Sequence, residues 1–339
     1  MSNRSSPLVI MRGRAARALA GLAMAITLHA APARAAESCA VTLATPTHLE
    51  PAENVGDYRD VLRLCRGDGG GAVAIRTLTL SGQEVLLLAD PEKLTTRLES
   101  AACWTCEDVE ESRIAGTRLM RAVEKSAEAP GLERRGFLQN AGLVHGRAPG
   151  SYFTGDLCPS SKPMDRAFLS RLPTERPPTP IALSISGLWL KHHFDDYRWL
   201  LDRQADGAFD ITWTNHSYHH QFKRGVPFDR NFMNSPGVDP DREILDTEQL
   251  LIANGQTPSL FFRFPGLISS APLMQAAREK HLISLGADAW LADGGKPKPG
   301  SIILVHPNGN EPVGLKMFDR DLASGLIAEP FEPLTKAPN

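Results

Sequence analysis

Apolar and polar positions alternate most clearly where Val73-Ala74-Ile75-Arg76-Thr77-Leu78-Thr79-Leu80 approaches the pattern of a strand. Ser81-Gly82 turns the chain into Glu84-Val85-Leu86-Leu87-Leu88-Ala89. Two β-rich runs around a short glycine-containing connection predict a hairpin. Residues 36–70, before it, read as irregular. After it, Asp90-Pro91 predicts a helix start, a carboxylate cap followed by proline at the first helical position. Ile114, Leu119 and Val123 share one side of a second predicted helix, from about Val109 to Ala127. These elements make a small α+β domain over 36–145, with no chemistry of its own to name.

Gly142 to Gly150 is a Gly/Pro-containing linker, and beyond it the rhythm changes. Apolar runs at 151–154, 180–185, 209–213, 259–263, 283–285 and 301–305 predict strands. Helical patterns through Ala167 and Leu172, over 194–203, 242–254 and 273–281 fall between them. A polar insertion, Lys223 to Pro240, interrupts the series. Alternating strands and helices predict a parallel β/α architecture over 146–339, a barrel or an open sheet. In such folds function gathers at the carboxyl ends of the strands.

Those ends carry the candidate chemistry. Asp156 follows the first strand of this half, and Asn215-His216-Ser217-Tyr218-His219-His220 follows Trp213. Read as a helix, the latter stretch puts His216 and His220 on one face. Two imidazoles so placed reach one metal ion at about 2.0–2.1 Å each. Arg263-Phe264-Pro265-Gly266 follows the next strand, Asp288 and Trp290 come after Leu285, and His306 follows Val305. One carboxylate and two imidazoles, Asp156, His216 and His220, suit zinc or another first-row divalent ion such as cobalt and leave positions open for water. His306 is the candidate proton donor. His219 lies off the ligand face.

The order of these motifs resembles the polysaccharide deacetylases, carbohydrate esterase family 4. H-[ST]-x-x-H is matched by His216-Ser217-Tyr218-His219-His220, R-x-P by Arg263-Phe264-Pro265, and L-x-H by Leu304-Val305-His306. The likeness spans about residues 150–310. It implies a distorted β/α barrel with a smaller N-terminal α+β domain outside the likeness. It further implies a divalent metal on Asp156, His216 and His220, and hydrolysis of N- or O-acetyl groups on a polysaccharide. Two positions depart from the family pattern. Its first motif has paired aspartates, a base and a metal ligand; here the run is Thr154-Gly155-Asp156, which sets Gly155 at the base position. Asp165, Asp229 and Asp239 are the substitutes within reach in sequence. Gly266 stands where the family has an aromatic residue that also gives a backbone N–H to the oxyanion. Arg263 resembles the residue that orients the base, and Asp288 the carboxylate that orients the C-terminal histidine. Trp290 and Tyr218 are candidate sugar-stacking walls.

Composition adds the compartment. Arg12, Arg14 and Arg17, the apolar run Ala18 to Ala31 and the site Ala33-Arg34-Ala35 read as a secretory signal peptide over residues 1–35. Export to the periplasm or medium follows as an expectation. The first 35 residues hold five arginines and no acid, so their removal takes the formal charge from −2 to −7. That balance excludes an electrostatic footprint for nucleic acid. Five cysteines remain, an odd number, in a compartment that oxidises thiols. Cys103 with Cys106 is the expected bridge, with Cys39–Cys65 the other candidate. Two further functional readings stand beside the deacetylase: an inactive glycan-binding relative lacking its base at Gly155, and a small-molecule amidohydrolase of the same fold.

Overall fold

The structure is a computed structural model that describes residues 38–67, 70–129, 131–172 and 177–339. The expected signal peptide lies outside the described residues. No helix among those described is long and apolar enough to cross a membrane.

Five strands open the described chain: β1 (Val55–Gly67), β2 (Gly70–Leu80), β3 (Gln83–Ala89), β4 (Thr96–Ser100) and β5 (Thr105–Asp108). They form one antiparallel sheet in the order β4-β3-β2-β1-β5. The predicted hairpin is β2–β3. The stretch read as irregular contains β1, thirteen residues long. Only Val55 and Cys65 of β1 are fully buried, so the strand carries almost no hydrophobic alternation to read. Asp90-Pro91 starts a turn, not a helix: the Asp90 carboxylate accepts from the N–H groups of Glu92 and Lys93, and the chain then enters β4. The helix expected from Val109 begins at Arg118 as α1 (Arg118–Glu128). Thr117 caps it by accepting from Met120 N–H, which fixes the start.

The cysteines pair otherwise than expected. Cys39 bonds Cys103, and Cys65 on β1 bonds Cys106 on β5. Residues 65 and 106 stand opposite each other in the β1–β5 register, a relation invisible without β1. Cys158 stays free and buried.

A short hairpin follows, β6 (Leu132–Arg134) and β7 (Phe137–Gln139). The remaining elements are β8 (Tyr152–Leu157), α2 (Arg166–Leu169), β9 (Thr179–Ile185), α3 (Gly187–His192), α4 (Phe194–Ala205), β10 (Phe209–Asn215), α5 (Pro240–Ala253), β11 (Phe261–Phe262), β12 (Ile268–Ser269), α6 (Ala271–Glu279), β13 (Ile283–Ser284), β14 (Ala289–Trp290), β15 (Ile302–Val305) and α7 (Pro312–Ala323). Seven strands make an all-parallel sheet in the order β13-β11-β10-β9-β8-β15-β14. This is the expected β/α architecture, an open sheet with β13 and β14 at its edges. Every residue of β8 and β15 is buried, as parallel strands covered on both faces require.

Residues 38–339 form one compact unit. Ile75, Leu87, Leu119 and Val123 share a core with Leu260, Phe261, Ile283 and Leu285. The expected division at 145/146 therefore crosses continuous apolar packing. Arg76 on β2 and Glu248 on α5 lock it with a bidentate ion pair at 2.8 and 3.1 Å, both side chains buried. Tyr58 donates its hydroxyl to the same carboxylate.

Candidate metal centre and catalytic site

Because the sheet is parallel, β8, β10, β11 and β15 deliver their following residues to one end. Along β8 the period of two turns Thr154 and Asp156 to one face. Both meet Arg263: its Nη1 donates to Thr154 Oγ1 and to Asp156 Oδ1, each at 2.8 Å. Arg263 Nη2 donates to the Gly286 carbonyl at 2.9 Å, and the side chain is fully buried. Burial raises the Asp156 carboxyl, but Arg263, His216 and His306 outweigh it and hold its pKa at about 2.

Gly155 faces otherwise. A Cβ there would lie 3.1 Å from both Leu183 and Pro307, away from Arg263. The assignment of Gly155 to an emptied base position is corrected on this ground, because a carboxylate there would not meet the arginine. The carboxylate that Arg263 orients is present, and it is Asp156. The sequence-level substitutes are engaged elsewhere. Asp239 caps α5, Asp165 accepts from Gly309 N–H, and Asp229 packs over Gly136.

The two-histidine motif is a turn and not the expected helix. Ser217 and His220 have φ of 63° and 46°. The Asn215 side chain makes the turn by accepting from Ser217 N–H, and Ser217 Oγ accepts from His220 N–H. Gly187 and Leu188, opening α3, donate to the carbonyls of Ser217 and Tyr218. This turn, and not helical spacing, brings the His216 and His220 rings to 4.8 Å between centroids. His216 Nδ1 lies 2.8 Å from the Arg263 carbonyl, which can only accept, so the proton sits on Nδ1. Its Nε2 is thereby aimed at the site, 3.6 Å from Asp156 Oδ2 and 3.5 Å from Cys158 Sγ. His220 Nε2 is buried and finds no hydrogen-bond partner among the described residues.

Cys158 is the residue that sequence reading missed. Its Sγ and one ring nitrogen each of His216 and His220 all lie within 4.8 Å of one another. Asp156 falls outside that group, with its Oδ2 3.6 Å from His216 Nε2. Burial opposes a Cys158 thiolate, yet His220 and His216 outweigh it and hold the thiol well below its usual range. The signal available in the sequence was the spacing 154, 156, 158 at the end of one strand.

His306 follows β15 and faces Asp156, Nε2 to Oδ2 4.0 Å. Its Nδ1 lies 2.7 Å from Glu311 Oε2, as an ion pair without hydrogen-bond alignment. Burial lowers the His306 pKa, but Cys158, Glu311 and Asp156 together raise it well above the ordinary histidine value. Glu311, at the start of α7, replaces the expected Asp288 here. Asp288 is occupied by His145 at 2.8 Å and by Ser301 Oγ and Ile302 N–H. Trp290 braces the pair: its Nε1 donates to Glu311 Oε2 at 3.1 Å and its ring lies 5.8 Å from His306.

His219 is engaged by Glu243, its Nδ1 2.7 Å from Oε1. Tyr218 packs its ring against Gly187, where a Cβ would come within 2.5 Å. Gly266 has φ of 62°, and a Cβ there would meet the Phe232 ring at 2.6 Å. An aromatic ring thus does stand at this position, supplied by the 223–240 insertion. Phe232 is packed in turn by Phe222, Phe228 and His220.

No family model matches the chain. Solved structures similar to it include a family 4 carbohydrate esterase from Bacillus anthracis, 21% identical, covering 58% of this chain and 87% of that one with a TM-score of 0.43. Another is Bacillus subtilis PdaA, a family 4 carbohydrate esterase, 16% identical, covering 65% and 86% with a TM-score of 0.39. A third is BA3943 of Bacillus anthracis, described as a pseudoenzyme of that family, 14% identical, covering 60% and 70% with a TM-score of 0.41.

Proposed function

We propose that the protein is an exported, metal-dependent hydrolase that removes N- or O-linked acetyl groups from a polysaccharide. One observation carries this reading. A histidine pair spaced so that it could hold a metal, an arginine-held carboxylate and a carboxylate-backed histidine meet at one end of the parallel sheet.

The residues present fit a zinc-class ion. His216 offers Nε2 because Nδ1 is engaged, and His220 brings a ring nitrogen to the same group and has a buried, unpartnered Nε2. His216 and His220 would hold the ion, together with a third donor from the end of β8. A bound divalent ion supplies acidification of water and polarisation of the acetyl carbonyl. Asp156 takes the proton of the attacking water. Arg263 keeps it ionised across the neutral range and fixes its direction, at a cost in basicity. His306, held protonated beside Glu311, gives a proton to the departing amine or sugar oxygen. Gly266 N–H, Trp290 and Tyr218 remain candidate contacts to the acyl oxygen and sugar. The inactive-relative reading rested on Gly155 and loses that support, since Asp156 fills the role.

The test is acetate release from a panel of N-acetylglucosamine oligomers and O-acetylated xylan, with zinc and with chelator. Release that needs the metal and is lost in Asp156→Asn is the expected result. Metal-loaded protein that releases no acetate from any member would overturn it.

A further inference from the structure

We infer that the third metal donor is the Cys158 thiolate, so that the centre is a Cys-His-His site selective for zinc-class ions and Asp156 stays off the metal. The inference rests on the hydrolase reading only for the presence of a metal. Two donors compete at the end of β8, and both approach His216: Cys158 Sγ at 3.5 Å and Asp156 Oδ2 at 3.6 Å. An ion about 2.3 Å from sulfur and about 2.0–2.1 Å from nitrogen, at tetrahedral angles, separates those atoms by about 3.5 Å. Distance to His216 alone therefore does not choose between them.

His220 chooses. The mutual 4.8 Å group contains Cys158, His216 and His220, and it leaves Asp156 out. The buried, unpartnered Nε2 of His220, a residue grouped with the sulfur, is the second mark of a missing ligand. Arg263 argues the same way, because it already holds Asp156 Oδ1 and turns that carboxylate toward β11. Cys158 is fixed for its role: Asn308 Nδ2 donates to its carbonyl at 3.0 Å, and neither disulfide claims its sulfur. As the sulfur–metal bond forms, the thiol proton leaves to solvent. Thiolate and imidazole donors favour zinc and cobalt over magnesium and calcium, which take oxygen ligands.

The experiment uses the purified protein, disulfides intact, stripped by chelator and titrated with cobalt(II) in thiol-free buffer. One equivalent should bind with an intense thiolate-to-cobalt charge-transfer band in the near ultraviolet. Cys158→Ser should lose the band and weaken binding by more than the roughly 10–100-fold that loss of a supporting group costs. Cys158→Asp should bind cobalt without the band, which shows that the fold survives. Asp156→Asn should keep both band and stoichiometry. Binding without a band in the wild type, or loss of metal in Asp156→Asn, overturns the inference, as does a wild type that binds no cobalt. A band without acetate release leaves the ligand set standing and sinks the hydrolase reading; metal-dependent release without a band does the reverse.

Discussion

Arg263 and Asp156 form an ion pair closed to solvent, Nη1 to Oδ1 2.8 Å, with side chains 0% and 3% exposed. The folded-state pKa of Asp156, about 2, lies below its ordinary 3.8. A depressed carboxylate stabilises above its unfolded pKa and loses that contribution as pH falls through the folded one. In chelator-treated protein the contribution should amount to about 2–3 kcal/mol at neutral pH. Urea unfolding between pH 5 and 2 checks this: Asp156→Asn should flatten the acid slope. Arg263→Gln should cost more, about 3–5 kcal/mol, because it strands a buried charge. An acid slope identical in wild type and Asp156→Asn would refute the assignment.

The antiparallel sheet is predicted to be inseparable from the catalytic half. Removing it would expose Leu260, Phe261 and Ile283 and strip Glu248 of both Arg76 and Tyr58. Glu248→Ala should destabilise the whole unit by about 3–5 kcal/mol in a single unfolding transition. A fragment starting at residue 140 should be insoluble. If that fragment folds and binds cobalt like the full protein, the shared core contributes little.

At Gly266 any side chain faces two penalties. Its φ of 62° disfavours L-residues by about 1–2 kcal/mol. The Cβ also meets the Phe232 ring at 2.6 Å, an overpacking that typically costs about 1–3 kcal/mol. Gly266→Ala should lower stability by the sum. Gly266→Ala with Phe232→Ala should recover part of the overpacking term, read as a non-additive double-mutant cycle. Strict additivity would mean that the two do not touch.

Much of the parallel sheet was legible because its strands are apolar on both faces and end in chemically distinctive residues. His216, Arg263 and His306 follow β10, β11 and β15 and meet at one end of that sheet. The illegible parts share a cause, which is dependence on contacts distant in sequence. β1 is half solvent-facing, so no alternation marks it, and the Cys65–Cys106 bridge needs its register. The turn at 215–220 rests on an Asn215 bond to Ser217 that periodicity does not encode. Cys158 was passed over because its ligand character appears only when β8 and β10 lie two strands apart in one sheet.

After Cys158, Glu311 should prove to be the group that raises the proton affinity of His306, and the carboxylate that backs it. It lies 2.7 Å from Nδ1, whereas Asp288 is engaged by His145, Ser301 and Ile302. A general acid acts while protonated, so activity falls as pH rises through its pKa. Glu311 raises that pKa, and removing its charge must move the alkaline limb of the kcat/KM profile to lower pH. Glu311→Gln should show this shift with cobalt affinity unchanged. His306→Ala should lose about 10²–10⁴-fold in kcat, the usual worth of a positioned proton donor. Asp288→Asn should leave the alkaline limb in place, since its carboxylate meets a different histidine. The opposite pattern, a limb moved by Asp288→Asn and untouched by Glu311→Gln, would return the orienting role to Asp288 and remove Glu311 from the proton path.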